Sequence, residues 1–340
     1  MIRGVRPGYV RSAAAWLAPV ALAIALAAPA AHAEDALAAP AAHAEDALQW
    51  LTRAANAARN TNYVGTIVYQ IGPHVESSRI AHIIDGGRQF EKLTNLDGPA
   101  RELIRSRGEV RCYYPDAKLV RVEPRTFRNA FPSLSGEQRR TLSQYYDFRV
   151  VGDDRVSGRA AEVVVFHPRD GLRYGHRFWS DSATGLLLKA RLVNEAGEGV
   201  EQFAFTDITL DVPADRALVA PSWPATPPDW KVIEGTAGDL AVEDTGWVVT
   251  RVPAGFSKIM EGYRKLHGRA DPVAHLVYSD GLVSVSVFVE RISAAHGSAG
   301  FVHQGGLNVY SVRRGDHLVT VMGETPGATV RQIANSVEHR

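Results

Sequence analysis

The sequence has 340 residues, with 38 Lys and Arg against 37 Asp and Glu, 45% hydrophobic residues and a single cysteine. The balanced charge excludes nucleic acid as the main partner, because phosphate binding needs clustered excess positive charge. Cys112, being alone, excludes an intrachain disulfide; within an apolar strand pattern it reads as a buried, inert thiol.

Arg3, Arg6 and Arg11 precede an apolar run from Ala13 to Ala28 and the small-x-small triplet Ala31-His32-Ala33, the pattern of a secretory signal peptide over residues 1–33. The run is too short to span a bilayer comfortably. Pro29 to Leu37 recurs unchanged at Pro40 to Leu48, so cleavage signals end at both Ala33 and Ala44; the first lies nearer the apolar run and is preferred. Removing residues 1–33 takes three of the 38 basic residues and no acid, leaving 35 against 37. The remaining length favours two cores over one.

From Glu45 to Arg59, Leu48, Leu51, Ala55 and Ala58 recur at helical spacing and predict an amphipathic helix. Strands follow at Tyr63 to Ile71, Ser78 to Ile84, Gln89 to Leu93, Glu109 to Tyr114 and Lys118 to Val122. They are separated by Gly72-Pro73, Asp85-Gly86-Gly87, Asp97-Gly98-Pro99 and Pro115-Asp116, and read as an antiparallel meander. Ser135 and Gln138 form a capping box that predicts a second helix over Gly136 to Tyr146. Strands resume at Phe148 to Val151, Ala161 to His167, Tyr174 to Ser180, Leu186 to Asn194 and Val200 to Leu210.

Several of these strands lack a polar face: Ile67 and Tyr69 are apolar on one side, Val64 and Val68 on the other. A sheet with one wet face alternates. Two arrangements fit equally: a curved sheet packed on a helix and enclosing a cavity, or a sheet sandwiched by its two helices. Five prolines between Asp211 and Asp229 then mark a semi-extended linker. Beyond it, strands over Trp247 to Val252, Val273 to Tyr278, Leu282 to Glu290, Leu307 to Arg313 and Leu318 to Gly323, with a closing helix from Ala328 to Glu338, predict a smaller α+β domain. The hairpin at Ser279-Asp280-Gly281 has a strong two-strand signature.

Specific catalytic signatures are absent. The sequence holds no HExxH, GxSxG, SxxK, CxxC or P-loop, and Asp153-Asp154 beside Gly152 reads as turn chemistry. His296 and His303 come nearest to a metal cluster, but hydrogen-bonded or surface histidines are the ordinary reading. No cofactor, metal or catalytic residue is assigned.

The stretch His275-Leu276-Val277-Tyr278-Ser279-Asp280-Gly281-Leu282-Val283-Ser284-Val285-Ser286-Val287-Phe288-Val289-Glu290 resembles the hairpin of the C-terminal domain of the RseB/MucB family. Gly305 to Tyr310, Val319 to Glu324 and Ile333-Ala334 are similar to that family's closing segment. Ala47 to Gly65, Arg177 to Leu188 with Trp179, and the Trp-Pro-rich linker extend the likeness over the whole mature chain. The resemblance implies a β-rich α+β protein with a LolA-like unclosed antiparallel β-barrel and helices over residues 45–210, a linker at 211–229 and a smaller C-terminal domain over 230–340. It implies a non-enzymatic periplasmic regulator of a sigma-E type factor. Such a protein binds the periplasmic segment of a membrane-embedded anti-sigma factor, shields it from a site-one protease, and lets go when lipopolysaccharide or a lipid fragment binds.

Candidate lipid contacts, chosen as large apolar strand residues, are Tyr63, Ile67, Tyr69, Phe178, Leu188 and Phe203; each also fits an ordinary core position. Candidate partner contacts are Tyr278, Ser279 and Asp280 at the hairpin tip, with Arg264 and Arg269 nearby, although fold maintenance also explains the hairpin. A lipid or lipoprotein carrier and an envelope hydrolase with dispersed catalytic residues are the competing readings. The oligomeric state is left open, homo-oligomer included.

Overall fold

The adjacent Trp50 and Leu51, with Ala54 and then Ala57 following at steps of three or four residues, share one face of helix α1 (Pro40–Asn60), which begins ahead of the expected Glu45. In the computed structural model, which describes residues 40–106, 108–124, 142–235, 240–241, 243–265, 271–292 and 299–340, these side chains press into a sheet. Trp50 stacks on Phe178, with centroids 5.5 Å apart, and its Nε1 donates to Ser180 Oγ at 3.1 Å. Burying such side chains contributes roughly 1.5–3 kcal/mol each. The expected signal peptide, most of the expected helix over Gly136 to Tyr146, Arg269 and His296 lie outside the described residues; residues 142–145 are helical.

The first sheet has twelve strands. β1 (Tyr63–Ile71), β2 (His74–Asp85), β3 (Arg88–Asn95), β4 (Glu102–Ser106), β5 (Glu109–Tyr114) and β6 (Leu119–Pro124) form one antiparallel meander. A second comprises β7 (Tyr146–Val156), β8 (Arg159–Pro168), β9 (Gly175–Asp181), β10 (Leu187–Val193) and β11 (Gly199–Leu210). Pairing of β1 with β11 joins them, and β12 (Lys231–Glu234) adds parallel to β6. The order β12-β6-β5-β4-β3-β2-β1-β11-β10-β9-β8-β7 leaves two free ends, so the sheet is unclosed. The sequence reading omits β4, whose Glu, Arg and Ser hide a strand that its neighbours pair on both sides.

The Pro-rich stretch 211–229 is not a free tether. Val219 packs on Ala81, Ile83 and Phe90, and Trp223 stacks on Tyr113 at 5.9 Å. The fully buried Glu102 accepts from Ser222 N at 2.8 Å and Ser222 Oγ at 2.7 Å, and lies 2.9 Å from Lys92 Nζ. Prolines keep this segment out of the ladder, while its Trp and Val side chains anchor it along the sheet.

The second sheet runs β13 (Leu240–Ala241), β15 (Ser257–Arg264), β16 (Val273–Ser279), β17 (Ser284–Arg291), β20 (His317–Gly323), β19 (Leu307–Arg314), β18 (Gly300–Gln304). Helix α2 (Gly327–Ala334) sets Val330 and Ile333 into a core with Leu276, Val285, Val287, Val319 and Val321. The expected closing helix therefore ends early. After Asn335 the chain straightens into β21 (Val337–His339), which pairs with β14 (Trp247–Val249) and buries Val337.

Candidate functional site

Strand alternation puts Tyr63, Ile67 and Tyr69 on the same face of β1. Register then aligns Tyr69, Phe203, Ala190, Phe178 and Val164 across five neighbouring strands. This is the face that α1 covers at Phe178. Five of the six residues chosen for lipid contact thus share a surface. Phe178 is closed off beneath Trp50, and Leu188, at the irregularity between Leu187 and Lys189, is wholly buried. Tyr63, Ile67 and Phe203 are partly buried and pack on a neighbouring core cluster.

A second row continues this face beyond α1. Gly65 stands opposite Ile80, Ile80 opposite Leu93, Leu93 opposite Leu103, and Leu103 opposite Cys112. The four side chains from Ile80 to Cys112 are partly exposed, an apolar stripe crossing β2 to β5. Burial pushes the Cys112 thiol pKa up, which keeps it an uncharged apolar group. Sequence reading misses this stripe because each strand contributes one such residue, and only the pairing register aligns them. A separate solvent-open cleft of about 800 Å³ runs along α1; Gln49, Thr52, Arg53, Asn56, Ala57 and Asn60 line it, and most of the surface they turn into it is apolar.

At the rim, the Tyr69 hydroxyl donates to Glu201. Burial, then the bond to Glu201, raises the tyrosine pKa, and burial also raises that of Glu201. Tyr63 stacks on His82 at 5.2 Å and meets Phe205 edge-on at 5.7 Å. Among the described residues, no three His, Cys, Asp or Glu side chains converge in a metal-holding group.

The expected partner contacts at the hairpin tip do not face solvent. Tyr278, Ser279 and Asp280 are all buried. Asp280 Oδ2 accepts from Arg173 Nε at 2.9 Å and from the Tyr146 hydroxyl at 2.8 Å, while Oδ1 holds Leu282 N and Val283 N at 3.0 Å each. Arg173, equally buried, also bonds Asp170 and the Ala254 carbonyl and lies over the rings of Tyr145 and Phe256. A charge needs this many partners to leave water. The tip is therefore the contact between the two sheets. Asn308 Nδ2 to the Tyr174 hydroxyl at 2.9 Å, and Thr329 Oγ1 to Leu172 O at 2.7 Å, extend that contact. Arg264, partly buried at the end of β15, lies away from the tip.

Two family models match in chain order: the MucB/RseB N-terminal domain over residues 46–223 and the MucB/RseB C-terminal domain over residues 241–338. The chain belongs to the MucB/RseB family. It is 34% identical over 325 residues to the sigma factor AlgU regulatory protein MucB of Pseudomonas aeruginosa, covering 92% of this chain and 93% of that one. It is 28% identical over 283 residues to the sigma-E factor regulatory protein RseB of Escherichia coli K12, covering 83% and 87%. Among solved structures, a crystal structure of MucB in complex with MucA(peri) superposes with a TM-score of 0.68 at 32% identity, covering 87% of this chain and 99% of that one.

Proposed function

We propose that this chain is an exported periplasmic regulator of a sigma-E type factor, acting by holding the periplasmic segment of a membrane-embedded anti-sigma factor. The observation that carries the reading is the ordered match of both MucB/RseB models, joined to a similar MucB crystallised with MucA(peri). In this reading the chain binds rather than catalyses. Its bound form shields the anti-sigma segment from site-one proteolysis, and a lipid or lipopolysaccharide fragment on the apolar stripe lowers partner affinity. Such coupling is reciprocal and limited by the ligand's differential affinity for the two states.

The partly exposed row Ile80, Leu93, Leu103 and Cys112 supports the lipid part, with Tyr63, Ile67, Tyr69 and Phe203 flanking it. Because the hairpin tip is occupied by Arg173, partner contact at Tyr278 to Asp280 requires the two sheets to separate; Arg264 and Arg269 remain candidate partner contacts. The domains proposed are 45–210 and 230–340, but 211–229 is fastened to the first and Trp230 to Glu234 pack on and pair with its β5 and β6, so the second begins after β12.

The deciding experiment mixes the mature protein with the purified periplasmic segment of the cognate anti-sigma factor, with and without lipopolysaccharide, and follows cleavage by the site-one protease. Binding that blocks cleavage and that lipid reverses is the expected result. Lipid binding without partner binding turns the reading to a carrier, which the same apolar row also favours.

A further inference from the structure

On the face of the first sheet opposite Phe178 and Ser180, alternation places Arg177 and Trp179 of β9 side by side with Lys189 and Arg191 of β10. Arg191 stands directly opposite Arg177, and Lys189 opposite Trp179. Arg149 of β7 continues the row through Val165. Three of these cations lie against the one indole: Lys189 Nζ at 4.3 Å from its centroid, the Arg177 guanidinium at 5.1 Å and that of Arg191 at 6.0 Å.

Like charges directly across a pair of strands destabilise a sheet. Elsewhere on this protein arginines neutralise that cost with carboxylates, as Arg105 does with Glu91 and Arg159 with Asp181. Among the described residues Arg149, Arg177, Lys189 and Arg191 have no such ion pair. Arg191 bonds only the neutral Gln202 Oε1, at 2.7 and 3.0 Å. Asp154, the carboxylate on this face that Lys189 and Arg177 feel, is engaged by Trp179 Nε1 at 2.8 Å. Lys189 is held below its ordinary pKa by partial burial and by Arg191 and Arg177. Asp181 and Asp147 share this face but are paired with Arg159 and Arg169, so on a chain with almost no net charge the four cations leave a local positive excess that no ion pair neutralises.

We infer that the outer face of β7 to β10, centred on Arg177, Lys189 and Arg191 over Trp179, docks on an anionic lipid bilayer by taking headgroup phosphates. Charge complementarity names the occupant. Guanidinium groups on neighbouring strands, whose backbones run about 5 Å apart, and Arg149 two strands further on present an extended row of hydrogen-bond donors to phosphate rather than one enclosed site. The patch lies on the face away from the apolar stripe, so a docked protein keeps that stripe and the second sheet clear of the bilayer.

The test is co-sedimentation of the mature protein with phosphatidylglycerol–phosphatidylcholine vesicles and with phosphatidylcholine vesicles alone, at low and raised salt. The variants are the triple change Arg177→Gln, Lys189→Gln, Arg191→Gln and a charge-matched control, Arg88→Gln, Arg291→Gln, Arg313→Gln, at exposed positions elsewhere. The expected result is salt-sensitive binding to the anionic vesicles only, kept by the control and weakened at least tenfold in the patch variant, since each cation near an anionic surface strengthens partition by roughly fivefold. The patch variant is expected to melt close to the parent, because it removes a repulsive pair along with the cation contacts on Trp179. If it does not fold, Arg149→Gln carries the test with an expected loss of about fivefold. Equal loss in both triple variants, binding to neutral vesicles, or no binding to anionic ones overturns the inference. So does full competition by millimolar inorganic phosphate, which points to a single-phosphate site. Tighter binding to a polyglutamate peptide overturns it in favour of an acidic protein partner.

Discussion

Arg173 of the first sheet's β8–β9 connection and Asp280 of the second sheet's β16–β17 turn form a buried ion pair, Nε to Oδ2 at 2.9 Å, with neither side chain more than 2% exposed. Removing one partner strands the other charge away from water. Asp280→Ala or Arg173→Met is expected to cost about 3–5 kcal/mol, and the double variant less than the sum of the two. Urea unfolding of the four proteins measures this, and additive losses would show that the pair is not coupled.

Gly305 is a second point of contact. Its φ is +56°, and a Cβ there would run into Ile71 and the Val200 carbonyl. Gly305→Ala is thus strained by backbone and by crowding at once and is expected to destabilise by about 1–3 kcal/mol. The same substitution at Gly315, also at positive φ but with open space around it, should show the backbone part alone. Small-angle scattering distinguishes loosened sheets, the expected effect at Gly305 only, from simple loss of stability.

His176 is buried without a partner for Nε2, stacked on Phe178, and burial lowers its pKa to about 4. The unfolded chain, with an ordinary histidine near 6.5, binds the proton first as pH falls. Its contribution is therefore complete above about pH 6.5 and is lost progressively toward pH 4, about 2 kcal/mol of it between pH 7 and pH 5. His275, lowered to about 4 by burial and by Arg264, adds in the same direction. The expected signature is a melting temperature that falls between pH 7 and pH 5, with a smaller fall in His176→Phe.

Glu102 ties the Pro-rich stretch to the sheet through Ser222 and Lys92. Glu102→Ala leaves the Lys92 ammonium without its ion pair and frees the segment, at an expected cost of about 3 kcal/mol. Limited proteolysis should then cut within 211–229 faster than in the parent. Unchanged cleavage there would mean that the remaining anchors, among them Trp223, Val219 and the bonds from Lys92 to Ala220 O and Arg111 to Ala225 O, hold the segment.

Leu93 and Leu103 adjoin across β3 and β4 on the apolar stripe and are partly exposed. Leu93→Glu is expected to weaken lipid binding about tenfold or more, from the loss of one apolar contact and the burial of a charge, with a modest change in melting temperature. Titration with a fluorescent acyl probe reads the first and calorimetry the second.

The strands with β-branched and aromatic runs were legible from the sequence, and β1 (Tyr63–Ile71) and β5 (Glu109–Tyr114) match their expected bounds. So was the resemblance that the family models later bore out. β4 and β12 were not, because their charged residues carry no apolar alternation; the neighbouring strands recruit their backbone. The hairpin of β16 and β17 was legible as a hairpin, but its exposed tip was not there to find. Asp280 looks like a solvated turn residue until Arg173, more than a hundred positions away in sequence, is brought against it.

What the sequence determined by itself is local: helix periodicity, strand alternation, turn chemistry at Gly and Pro, and membership of a family. What only the tertiary structure decided is which side chains from distant strands share a face or a bond. The apolar row from Ile80 to Cys112, the burial of Asp280 and the unpaired cations over Trp179 all depend on register and on the docking of one sheet against another. Alternation tells which residues of one strand point the same way, but a one-residue shift in pairing changes every neighbour across the sheet, and only the folded chain settles that shift.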